Sequence, residues 1–142
     1  MIKIKSFNIG SEKLYRQALE IRRKVFIDGQ NVDPALEIGN EEKCTHYLIL
    51  LDGQPIGTAR WRETEKGVKL ERFAILGEYR NLGYGSKILD KVMADIIPLG
   101  RMIYLNSQLK AMNYYQRRGF IKTGEIFKEA GIDHYLMVRK TD

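Results

Sequence analysis

The chain has 142 residues, 44% hydrophobic and 30% charged, the size and balance of one globular domain over residues 1–142 rather than of a disordered polymer. Its 24 Lys and Arg against 18 Asp and Glu leave a net charge of +6, dispersed with no basic block of five or more. That pattern predicts a largely solvated surface, and such a balance serves nucleic acid or a polyanionic small ligand equally well; the chain lacks an aromatic-rich basic strand or an RNA-type glycine loop, so no nucleic-acid partner is expected. No run reaches the about eighteen apolar residues of a membrane span, the first residues lack the core of a signal peptide, and Cys44 is the only cysteine, so the expected compartment is cytoplasmic, with no membrane partner.

Ile2 and Ile4 alternate with Lys3 and Lys5, a strand ending near Phe7. Ser11 is placed as the N-cap of a helix whose Leu14, Ala18, Ile21 and Val25 recur at helical spacing. Asp33-Pro34 breaks that pattern, and residues 28–43 read as a long polar loop with a short helix after Pro34; loops of this length in a small domain are commonly functional. Residues 44–51 and 55–61 form two antiparallel strands around Asp52-Gly53-Gln54, and a turn at Glu65-Lys66-Gly67 leads into a third strand, 68–76. Cys44 and His46 share one strand face, a weak nucleophile-and-base signal beside the reading of Cys44 as a structural thiol.

Ile88, Leu89, Val92, Met93 and Ile96 mark an amphipathic helix over 84–97, stopped by Pro98 and Gly100. A strand over 102–106, a short helix over 108–118 closed by Gly119, and strands over 120–127 and 134–138 complete the chain. The order is that of a mixed sheet with helices packed on it, an α/β chain of the α+β type.

Between the third strand of the meander and the amphipathic helix lies Arg80-Asn81-Leu82-Gly83-Tyr84-Gly85. A loop that holds a pyrophosphate needs main-chain N–H groups at a helix N-terminus and small residues that let oxygen approach the backbone. Gly83 and Gly85 give that access, and Arg80 adds a cation at the entrance. A Walker A loop fails because Ser86-Lys87 follows Gly85 and position 80 is Arg. A dinucleotide fingerprint fails because Ile88 stands where a third glycine is needed and no acidic residue closes the next strand.

The pattern Arg/Gln-x-x-Gly-x-Gly/Ala, after a strand ending Phe73-Ala74-Ile75-Leu76, resembles motif A of the GNAT superfamily of acetyltransferases. Tyr115-Gln116-Arg117-Arg118-Gly119-Phe120 resembles the Tyr-x-x-x-Gly-Phe motif of the same family. A finer resemblance, to the ElaA-like branch, rests on Val25-Phe26-Ile27-Asp28-Gly29-Gln30, Glu37, His46, Gly57 with Arg60, Leu70-Glu71-Arg72, Gln108 and Gly131-Ile132-Asp133-His134. The resemblance spans about residues 2–138.

It implies a mostly antiparallel sheet of six to seven strands flanked by helices and splayed between strands 4 and 5, with acetyl-CoA as cosubstrate in that opening. It implies that the main chain of Phe73, Ala74 and Ile75 holds the pantetheine arm. Asn81, Leu82, Gly83, Tyr84, Gly85 and Ser86 would hold the pyrophosphate with Arg80, and Gln108 stands where many relatives place an Asn on the arm. Tyr115 matches the family's proton donor to the leaving sulfur. For the base, Glu71, His134 and water stay open; histone-type members carry a glutamate base two residues before Glu71, where this chain has Lys69. Glu37 and His46 are expected at the acceptor, a primary amine of a small molecule or peptide. A non-catalytic CoA-binding module of the same fold is the rival reading, and a small exposed mixed sheet leaves room for a homodimer.

Overall fold

In the computed structural model, which describes residues 1–140, seven strands form one sheet: β1 (Ile2–Phe7), β2 (Thr45–Leu51), β3 (Gln54–Glu63), β4 (Val68–Ile75), β5 (Ile103–Gln108), β6 (Phe120–Glu129) and β7 (Ile132–Arg139). Their spatial order is β1-β2-β3-β4-β5-β7-β6. Four α-helices accompany them: α1 (Glu12–Arg22), α2 (Pro34–Glu37), α3 (Tyr84–Ile96) and α4 (Met112–Arg117). No helix among the described residues is long and apolar enough to cross a membrane.

The apolar run in β2 is continuous because both faces of the sheet centre are covered. Leu48 and Leu50 pack with Ala18, Ile21 and Val25 from the α1 side. Tyr47 and Ile49 pack with Ile88, Leu89, Val92 and Ile96 of α3 on the other face. The same period-2 alternation puts Val68 and Leu70 of β4 in the α3 core.

Neighbouring strands are antiparallel except β4 and β5, which run parallel and pair only at Val68 with Ile103, Lys69 with Tyr104 and Leu70 with Leu105. Beyond Leu105, β5 pairs only with β7, Asn106 opposite Leu136 and Gln108 opposite His134. Past Leu70, β4 stays with β3 through a register shift at Thr58 and Arg60. The sheet therefore opens as a wedge between its fourth and fifth strands. At this bulge Arg72 takes φ 56°, a left-handed conformation that costs a long side chain about 1–2 kcal/mol. Its guanidinium is anchored to the 33–43 loop, donating from Nε to the Glu37 carbonyl at 3.1 Å and from Nη2 to the Leu36 carbonyl at 3.3 Å.

Local structure differs from the sequence reading at several points. The first helix continues past Arg22 as a wider π-type segment, Arg23–Asp28, which keeps Val25 buried. Ser11 is its N-cap residue, yet the side chain makes no capping bond. The expected 108–118 helix splits, because Gln108 still pairs in β5; a 3-10 turn, Leu109–Ala111, precedes α4. Strand β7 starts at Ile132 because Ala130 and Gly131, at φ 52° and 77°, complete the reversal from β6 in two residues.

Candidate active site

The wedge opens into a cavity of about 1100 Å³. Phe73, Ala74 and Ile75 line one wall, and Asn106, Ser107 and Gln108 line the other. On this side residues 71–75 have no strand neighbour, so the β4 edge is free to receive an extended ligand, apart from the Ile75 carbonyl, which accepts from Arg80 Nε at 2.9 Å. Gln108 donates to the Gln30 side chain at 2.9 Å across the opening.

At one end of the cavity the chain turns into α3 through two left-handed residues, Asn81 at φ 62° and Gly83 at φ 88°. Nothing would crowd a Cβ at Gly83, so glycine serves the backbone conformation there. The N–H groups of residues 81–86 meet no acceptor among the described residues, as the open first turn of a helix requires. Leu82 points outward at 62% exposure and offers main chain only, while Tyr84 packs edge-on against Tyr79. Ser86 Oγ lies 3.1 Å from the Tyr114 hydroxyl and accepts from Arg118 Nη2. Arg118 also lies over the Tyr114 ring and donates to Asp90 at 3.0 Å. With Arg80 and Arg118, free donors and cations meet at this helix N-terminus, which fits a pyrophosphate; Lys110 also lines the cavity. The sequence reading did not single out Lys110, which lines the cavity, or Arg118, which holds Ser86; Arg118 sits inside the Tyr-x-x-x-Gly-Phe stretch, the one signal that could have drawn notice to it.

Tyr115, on α4, faces the same cavity and packs edge-on against Tyr114 and Phe120. Its hydroxyl has no hydrogen-bond partner among the described residues. Burial, with a further contribution from Tyr114, raises its pKa, so the phenol keeps its proton at neutral pH.

The acids are less free than expected. Glu71, its side chain 7% exposed, has Oε1 2.9 Å from Arg62 Nε and 3.3 Å from Arg60 Nη2, and Oε2 3.2 Å from Lys69 Nζ. Burial pulls its pKa up, but Lys69, Arg60 and Arg62 outweigh it and hold the carboxyl below the ordinary value. The structure corrects the expectation of Glu71 as a base: a carboxylate held by three cations has little affinity for a proton. Glu37 lines the cavity, yet it accepts from Arg22 Nε at 2.8 Å and Arg22 Nη2 at 3.0 Å, and Arg72 Nε lies 3.1 Å away. Saturated by two guanidiniums, it has no carboxylate left for a cationic acceptor. His46 is also corrected: it is 1% exposed beneath α1, stacked on Phe7, with Nε2 2.9 Å from the Glu41 carbonyl. That places it outside the cavity lining. Cys44 is likewise buried, its thiol donating to the Asn40 carbonyl at 3.2 Å, and burial raises its pKa.

His134 does line the cavity. Its Nδ1 lies 2.7 Å from the Ile132 carbonyl, which can only accept, so the neutral ring carries its hydrogen on Nδ1 and presents a lone pair at Nε2. Glu129 Oε2, 3.6 Å from Nε2, stands ready to steady the ring if it gains a proton. Asn106 Nδ2 holds the other Glu129 oxygen at 3.3 Å.

Comparison with known proteins agrees with this architecture. The family model described as Acetyltransferase (GNAT) domain matches residues 13–141. The chain is 36% identical over 137 residues to the uncharacterized protein YyaT of Bacillus subtilis (strain 168), covering 93% of each chain. Among solved structures it resembles Escherichia coli ElaA, with TM-score 0.84 and 22% identity over 99% of this chain and 100% of that one. It also resembles the PaiA N-acetyltransferase of Thermoplasma acidophilum, solved in complex with coenzyme A, with TM-score 0.71 and 15% identity over 99% of each chain. The splayed seven-stranded sheet, the matched domain and the kinship with YyaT together establish that the chain belongs to the GNAT family of acetyltransferases.

Proposed function

We propose that this protein is an N-acetyltransferase that carries an acetyl group from acetyl-CoA to a primary amine of a small molecule or peptide by direct attack. The observation that carries the reading is the wedge between β4 and β5, with a free strand edge along one wall and the uncapped N–H groups of residues 81–86 at one end. An extended pantetheine arm suits the edge, and a pyrophosphate suits the loop. The coenzyme A bound by the PaiA protein, which shares this fold, supports the donor.

The reaction forms a C–N bond at the acetyl carbonyl and breaks its C–S bond. His134 Nε2 takes the proton that the amine must lose, and Glu129 beside it offsets the charge so created. Tyr115 supplies a hydrogen bond or proton to the departing sulfur, a role suited to a partly buried phenol on the cavity wall with no other partner among the described residues. This reading takes His134 as the base from the three candidates, Glu71, His134 and water.

A thiol-release assay over a panel of amines tests the proposal. Tyr115→Phe and His134→Gln lower kcat by about 100-fold each, the usual scale of a general acid or base, with little change in the KM for acetyl-CoA. Arg80→Ala raises that KM by about tenfold and leaves kcat nearly unchanged. Failure of coenzyme A to bind in calorimetry would sink the proposal, whereas tight binding with no turnover of any amine would favour a non-catalytic binding module.

A further inference from the structure

The part of the cavity built by β3, β4 and the 33–43 loop carries surplus positive charge. Arg62, Lys69 and Arg72 line it, and Arg22 and Arg60 are buried behind it. These five cations share three carboxylates, Glu37, Glu41 and Glu71. The cluster is therefore left with two positive charges more than negative ones. Of the cavity's acids, only Glu129 lies outside the cluster, and it is engaged with Asn106 and His134.

The surplus is also visible donor by donor. Arg62 has a side chain only 20% exposed; its Nε binds Glu71, and neither terminal nitrogen has a partner among the described residues. Arg72 commits Nε and Nη2 to the 33–43 loop, and its Nη1 is likewise unpartnered among the described residues. Lys69 has Glu71 alone. The Arg72 guanidinium is pulled below its ordinary pKa, by burial first and then by the charge of Arg60, as crowding by like charge requires. Largely buried donors of this kind gain most from an anionic oxygen, whereas a purely cationic amine entering here would meet repulsion and no spare carboxylate.

Resting on the acetyltransferase reading above, we propose that the acceptor is a primary amine bearing its own anionic group, a carboxylate or a phosphate, which Arg62, Lys69 and Arg72 hold beside the reacting nitrogen. Polyamines and other purely cationic amines are excluded by the same charges. Lys69, standing where histone-type relatives have a glutamate, thus takes part in recognising the acceptor and not in proton transfer.

The test uses matched acceptors with acetyl-CoA at fixed concentration: amino acids against their primary amides, amino-sugar phosphates against the free amino sugars, and a polyamine series. At least one anionic series exceeds its neutral partners in kcat/KM by about tenfold or more, one charge-assisted hydrogen bond being worth about that much. Whichever series responds identifies carboxylate or phosphate as the anion. Lys69→Gln, which leaves Glu71 paired with Arg60 and Arg62, raises the KM for the anionic acceptor by about tenfold and leaves the KM for acetyl-CoA within about twofold; Arg62→Gln does the same. Melting temperatures of the two variants report whether each is folded, and the wild-type comparison stands without them. Equal rates within every matched pair, or a preference for polyamines, overturns the inference and leaves the acetyltransferase reading intact. Binding of coenzyme A with no turnover of any acceptor overturns both.

Discussion

Glu41 is pressed between Arg22 and Arg60, accepting at 2.8 Å from each and at 2.9 Å from the Gly39 N–H. Burial pulls its pKa up, but the Arg22 hydrogen bond, the Gly39 N–H and the two positive charges prevail, and the carboxyl is pushed down to about 2 from an ordinary 4.5. A carboxyl depressed in the folded state adds stability that is complete above pH 4.5 and disappears as pH falls towards 2. The amount is on the order of 3 kcal/mol. Thermal melts followed by circular dichroism should show a steeper fall across this window for the wild type than for Glu41→Gln. The same residue scale shows what the chain alone could reveal. The placing of residues 80–85 at the entry to a helix was legible because a glycine-rich turn marks it, and Tyr115, singled out by a local spacing, does face the cavity. The engagement of Glu37, Glu71 and His46 was not, because their partners come from other elements: Arg22 and Arg72, Arg60 and Arg62, and the Glu41 carbonyl. A free carboxylate and a saturated one look alike in sequence.

Among the elements, β1 and α3 were legible from periodicity, since burial alternates along the first half of β1 and α3 buries a regular stripe. Two features were not. The π-type segment Arg23–Asp28 leaves no periodic trace, and the end of β5 runs two residues beyond the expected Asn106 because pairing with β7 outweighs local preference. Packing between strands is equally strict. A Cβ built on Gly57 of β3 would stand 2.4 Å from Ile75 Cδ1, 2.8 Å from Ile49 Cγ2 and 3.0 Å from the Ala74 carbonyl. Gly57→Ala should therefore destabilise by about 1–3 kcal/mol in urea titration, and because Ala74 and Ile75 are on the cavity wall it should also weaken coenzyme A binding.

Across the whole molecule, the buried ion cluster joins α1, the 33–43 loop, β3 and β4, elements remote in sequence. Its stability is conditional on completeness, because removing one member strands the rest without water. Arg22→Met leaves Glu37 and Glu41 short of a partner in the interior and should cost about 3–5 kcal/mol, read as a lower urea midpoint at unchanged m-value. The fold class, the splay and the family were legible in the chain from two motifs and the strand order; the surplus positive charge beside β3 and β4 emerged only once five cations and three acids were placed together.

The three residue pairs between β4 and β5 have a mechanical consequence. Within the sheet they alone couple the four strands on one side of the wedge to the three on the other, so the sheet has a seam softer than the body on either side. A ligand lodged there replaces missing ladder bonds as well as filling space. Binding at the seam and stability are therefore linked, and a ligand held there makes the protein harder to melt by an amount that rises with the logarithm of its concentration above Kd.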